Sequence, residues 1–200
     1  MNGILFKDWK IKAVAGDSPD REWQTRRVIK PQPSCSCEQK HIAQFKGGSV
    51  NFFYEHHNTP IHYKPRYQVG EVVYIKEAWT PSHQGLDCIY KLDAKEGELF
   101  PIPIKDWKSP LFMPEWAARY FEKITDIRAE RLQEITIVEA ELEGFAKWGL
   151  EHGCSACETE SHSYYGARFH FAKEWNTINP KYPWESNPWV FVYSFKKAEK

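Results

Sequence analysis

The run Trp189-Val190-Phe191-Val192-Tyr193-Ser194-Phe195 constrains the fold more than any other part of the chain. Aromatic and β-branched side chains fill nearly every position, and alternation along a strand sends them to both faces. Such a segment is expected to be a terminal strand covered on two sides. A second run has the same character: Gly70-Glu71 opens Val72-Val73-Tyr74-Ile75, which ends in Lys76-Glu77-Ala78-Trp79. Cys88-Ile89-Tyr90-Lys91-Leu92 is the expected partner of that strand. At 42% hydrophobic and 16% aromatic residues, 200 residues supply enough apolar surface to enclose both runs in one domain.

Other segments carry their own signals. Gly3-Ile4-Leu5-Phe6 reads as a short strand, and Trp9, Ile11, Ala13 and Val14 lie in a short helix that stops near Gly16. Pro114 suits the first position of a short helix running through Ala118 and Arg119. Phe121 to Glu130 reads as a strand marked by Phe121, Ile124 and Ile127. Thr136-Ile137-Val138-Glu139 is a capping box, opening a helix that carries Glu141 and Glu143 and ends at Gly144. Phe171, Trp175 and Ile178 share one face of a helix expected from near Arg168 until just before Pro180. Two stretches, about 31–66 and 145–165, have no sustained period and read as irregular insertions, the first with one hairpin around Val50–Tyr54. Strands and short helices mixed without strict alternation give an α+β class: a single domain over residues 1–200, or a small, partly open barrel.

Charge and cysteine content narrow the setting. Lys plus Arg and Asp plus Glu are equal at 27 each, so any nucleic-acid binding has to come from a local patch. No run of eighteen apolar residues is present to cross a membrane. The first residues lack the pattern of a secretory signal. Five cysteines, an odd count, argue for a reducing compartment and against a disulfide framework, so a cytoplasmic location is expected.

The candidate basic patch is Gln24-Thr25-Arg26-Arg27-Val28-Ile29-Lys30-Pro31. As a strand ended by proline, it puts Thr25, Arg27 and Ile29 on one face and Gln24, Arg26, Val28 and Lys30 on the other. Thr25, Arg26, Arg27 and Lys30 then form either a solvated edge or a surface whose guanidinium forks contact phosphates and base edges. Trp23 alternates onto the face of Thr25 and is the stacking candidate, while Glu77 is a candidate ion-pair partner for Arg26 or Arg27. Cys35-x-Cys37 and Cys154-x-x-Cys157 lie in the two irregular stretches. They form either one structural Zn²⁺ site joining those stretches, with His41, His152 and His162 as further ligands in reach, or four free thiols. Cys88 reads as a buried core thiol.

Several of these segments occur together elsewhere. Gln24 to Pro31, Gly70 to Trp79, Phe112-Met113-Pro114, Ile124 to Leu132, and Trp175 to Phe195 resemble, in this order, blocks of a family of phage and prophage proteins similar to the ASCH domain. The most specific part is Trp175-Asn176-Thr177-Ile178-Asn179 followed by Asn187-Pro188-Trp189-Val190. The resemblance covers roughly half of the chain and leaves out 31–66 and 145–165. It implies a PUA-like small β-barrel with short flanking helices, in a protein acting inside a bacterial host cell. It also implies binding of RNA, a nucleotide or a modified nucleoside. One ASCH branch hydrolyses N4-acetylcytidine with a Lys, a Thr three residues later and a distant Glu. Thr25 and Glu143 match the Thr and the Glu; the Lys position is Glu22. A carboxylate supplies no positive charge to activate a hydroxyl or hold an oxyanion, so the departure tells against this amidohydrolase chemistry. The remaining alternative is a phage accessory or anti-defence protein that works by contact with a host protein.

Overall fold

A computed structural model describes residues 1–18, 20–33, 42–53, 60–82, 87–94, 107–145 and 160–198, with the backbone alone for residues 42 and 160–165. The chain is α+β and dominated by sheet. It divides into two compact units, each discontinuous in sequence. The first comprises Met1–Arg21, Val72–Lys123 and Lys196–Lys200; the second comprises Glu22–Glu71 and Ile124–Phe195.

In the first unit, β1 (Asn2–Leu5) lies parallel to β6 (Val72–Lys76), and β6 pairs antiparallel with the start of β9 (Phe121–Arg131). β6 is the apolar run expected to be buried, and Val73, Tyr74 and Ile75 are. Helix α1 (Asp8–Ala15) buries Ile11 and Val14 and stops at Gly16, as its sequence implied. β7 (Trp79–Pro81) and β8 (Cys88–Tyr90) form a separate antiparallel pair. Cys88–Tyr90 is therefore a strand, but its partner is Trp79–Pro81 rather than Val72–Ile75. Tyr74, Trp79, Met113, Ala117, Ala118 and Phe121 make the local core. Pro114 precedes a single 3-10 turn, Glu115–Ala117, instead of opening an α-helix: Arg119 lies beyond it, and Ala118 is already extended.

In the second unit the strand order is β9-β10-β2, with β2 at Trp23–Val28 and β10 at Trp189–Lys197. β10 is buried from Trp189 to Phe195, as the composition of that run required. The stretch expected to be irregular holds regular structure. β3 (Ile42–Lys46), β4 (Ser49–Phe53) and β5 (Ile61–Tyr63) form a three-stranded antiparallel sheet. The β3–β4 turn is Gly47-Gly48, and both residues take the left-handed φ (62° and 76°) that glycine accepts most readily. Thr136 caps α2 (Ile137–Ala140) through the predicted box, and the chain continues as one π-helical turn, Glu141–Phe145, in which Gly144 has φ 104°. Helix α3 (Glu160–Ile178) begins before Arg168 and buries Phe171 and Trp175. Among the described residues the strand ladders close no barrel, and no helix is long and apolar enough to cross a membrane.

Candidate functional site

Strand β2 sorts its side chains by alternation. In the antiparallel register, Trp23, Thr25 and Arg27 stand opposite Phe195, Tyr193 and Phe191 of β10, and Gln24, Arg26 and Val28 opposite Ser194, Val192 and Val190. The two adjacent arginines therefore leave β2 on opposite faces.

On the Arg26 face the polar groups lie against one another. Gln24 Nε2 donates to Ser194 Oγ at 3.3 Å. The Arg26 side chain is wholly buried; its Nε donates to Glu130 Oε1 at 2.9 Å and its Nη1 to Glu143 Oε1 at 3.2 Å. Nη2 lies 2.7 Å from Glu130 Oε1 and 3.4 Å from Glu139 Oε2. Arg128 completes the network, with Nε at 3.0 Å from Glu130 Oε2 and Nη2 bonded to Glu139. Burial alone would raise the Glu139 carboxyl, but the Thr136 N–H and hydroxyl, Arg26 and Arg128 hold it below the ordinary carboxylate range. Three carboxylates and two guanidinium groups are thus assembled in one cluster, buried at Arg26 and Glu143 and half-buried at Arg128, Glu130 and Glu139.

The Arg27 face differs in its lining. Thr25 is 1% exposed and Tyr193, across from it, is equally buried. Tyr193 accepts the Arg66 N–H at 3.1 Å and makes an edge contact with Tyr67, ring centroids 5.3 Å apart. Arg27 Nη1 donates to the Arg26 carbonyl at 3.2 Å. Burial lowers the Arg27 pKa; Glu143, Tyr67 and Tyr193 act to raise it, and Arg66 to lower it. Burial also pushes the Tyr193 hydroxyl up to about 12. Glu143, itself buried, interacts with arginines from both faces of β2: Arg26 by hydrogen bond and Arg27 through the field. It is presented by the π-helical turn, a rare geometry that recurs at functional sites.

Of the residues singled out in the sequence, Thr25, Arg26, Arg27 and Glu143 come together here, and they divide the work. The Arg26 donors are engaged by carboxylates, whereas Arg27 lies among tyrosines. Trp23 is 4% exposed, so its ring is core packing and offers no open stacking plane. Lys30 is exposed beyond the end of β2, with Nζ 5.6 Å from the Tyr182 ring centroid. Glu77 does not partner Arg26 or Arg27. It accepts from Nε and Nη2 of Arg119, at 2.8 Å each, within the first unit. Arg119 also bonds Asp93 and stacks over Tyr90 and Tyr120, at 4.0 and 4.8 Å to the ring centroids. Burial alone would lower the Arg119 pKa, but its hydrogen bonds to Glu77 and Asp93 raise it. Glu22, at the position expected to be Lys, accepts the Thr125 hydroxyl at 2.7 Å.

Cys35, Cys37, Cys154 and Cys157 lie outside the described residues, as do His41, His152 and the His162 side chain. Among the described residues no cluster of His, Cys, Asp or Glu suits a metal ion. Cys88 is a half-buried free thiol whose pKa is raised by burial. The sequence reading missed Tyr67, Arg66 and the role of Tyr193, which looked like one more core aromatic in the apolar run. No family model matches this chain, and no curated protein or solved structure is significantly similar to it.

Proposed function

We propose that the second unit binds a nucleotide or modified nucleoside, free or as part of RNA, beside Thr25, Arg27 and Glu143. The observation that carries this reading is the convergence of buried Glu143, Tyr67 and Tyr193 on half-buried Arg27, with exposed Arg66 beside them. Opposed charges and phenols shielded from water are what a polar heterocycle needs. A guanidinium donates to base or phosphate oxygens, a carboxylate accepts from an exocyclic amine, and tyrosine rings give flat contact. Concentrations of mutually perturbing ionisable groups are commoner at functional sites than in ordinary cores. The resemblance to ASCH-type, PUA-like proteins supplies the ligand class and an intracellular setting. Arg26 supports the site indirectly, by fixing Glu143.

The test is binding of N4-acetylcytidine, cytidine monophosphate and a short oligouridylate to the parent chain, Arg27→Ala and Glu143→Gln. The expected result is saturable binding of at least one ligand that weakens about tenfold or more in both variants, since each leaves a buried ligand group unpaired. No binding of any of the three to the parent overturns the reading. The same samples decide the amidohydrolase alternative: release of acetate from N4-acetylcytidine, lost in Thr25→Ala, would replace binding by catalysis. Phosphate contact also predicts weaker oligouridylate binding at higher salt.

A further inference from the structure

In the first unit, two consecutive turns show large apolar side chains to solvent. Pro110–Phe112 carries Leu111 and Phe112, 61% and 78% exposed, and Glu115–Ala117 carries Trp116, 64% exposed. Between them Met113 is 1% exposed and anchors the segment in the core. Scattered exposed apolar residues are ordinary, but three within six positions, two of them aromatic, are a local patch.

Two lysines stand beside the patch. Lys76 Nζ donates to the Leu111 carbonyl at 3.1 Å. Lys108 Nζ stands 4.9 Å from the Trp79 ring centroid, and Trp79 meets Trp116 edge to face at 5.4 Å. Both ammonium groups are thereby held beside the patch, and among the described residues neither forms an ion pair with a carboxylate. Three described acidic groups of the unit are already engaged: Glu115 by the Met1 amine at 2.9 Å, and Glu77 and Asp93 by Arg119.

We infer that the Leu111–Trp116 turns are a docking surface for an acidic segment of a partner protein, whose apolar side chains sit on Phe112 and Trp116 while its carboxylates meet Lys76 and Lys108. Exposed aromatics rimmed by charge are the composition of interface hot spots, where a few large side chains carry most of the affinity. The aliphatic Leu111 favours a peptide over a nucleic acid, because bases use ring faces and leave an aliphatic group uncovered. This surface lies wholly within the first unit and stands apart from the nucleotide reading.

The experiment selects short random peptides from a displayed library on the full chain. The selected sequences are then synthesised and titrated against the parent, Phe112→Ser/Trp116→Ser and Lys76→Glu/Lys108→Glu. Expected are sequences that combine Asp or Glu with large apolar residues. They should bind the parent at least about tenfold more tightly than either variant, and less tightly as salt rises. The replaced side chains are exposed or at the rim, and circular dichroism of each variant confirms the fold. Selected peptides without acidic bias, or binding unchanged in both variants, overturn the proposal. So does oligouridylate binding lost in the aromatic variant, or a self-associated species in sedimentation that the aromatic variant abolishes, because each names a different occupant.

Discussion

Arg26 is the residue whose replacement should cost the fold most. Its guanidinium bonds Glu143 and shares Glu130 and Glu139 with Arg128. Removing it leaves buried negative charge without its partner, which typically costs about 3–5 kcal/mol. Arg26→Ala should therefore unfold at markedly lower urea concentration than the parent, whereas Lys30→Ala, at an exposed position, should leave the midpoint nearly unchanged. Glu122 poses the opposite problem. It is 1% exposed, its Oε2 makes no hydrogen bond among the described residues, and burial pushes its pKa up to about 7, with Lys197 pulling the other way. The folded state thus holds this proton more tightly than the unfolded chain does. The stability gained is full below the ordinary value of 4.5 and is lost as pH rises to about 7. Glu122→Gln should abolish that loss. Relative to the parent it should gain up to about 3 kcal/mol in urea unfolding at pH 8 compared with pH 4. An equal difference at both pH values would show that Glu122 is not the titrating group.

At the level of elements, the π-helical turn is the feature on which the candidate site leans. Gly144, at φ 104°, lies where a Cβ is strained, and it follows directly on Glu143. Gly144→Ala is expected to destabilise by about 1–2 kcal/mol and to weaken nucleoside binding as Glu143 is displaced. Loss of stability with binding intact would detach the turn from the site. How far such elements were legible depended on where their signals lie. The capping box at Thr136 was readable because both of its partners sit within four residues. The strands Val72–Lys76 and Trp189–Lys197 were readable because burial on two faces demands an uninterrupted apolar run. The β3-β4-β5 sheet was legible only as one hairpin around Val50–Tyr54, because Gln44, Asn51 and His62 break its apolar pattern, and His62 Nδ1 and Asn51 Oδ1 pair with each other across β4 and β5. Gly47-Gly48 was the one local cue to its first hairpin. Alternation separated Arg26 from Arg27 correctly, yet it could not tell which would be sequestered. The carboxylates that hold Arg26 lie 104 to 117 residues away along the chain.

For the whole molecule, equal numbers of acidic and basic residues, 27 each, mean that repulsion between copies vanishes near neutral pH. The amount of polyethylene glycol needed to precipitate the protein should therefore pass through a minimum near pH 7 and rise on both sides. A monotonic dependence would show that patches such as the Leu111–Trp116 turns govern association instead. The order in which the chain visits its two units has a different consequence, one of heredity. The polypeptide passes from one unit to the other at 21/22, 71/72, 123/124 and 195/196. The first unit takes segments from the beginning, middle and end of the chain, so every internal recombination breakpoint between two related genes parts pieces of that unit. A single crossover inside this sequence therefore never exchanges the first unit whole.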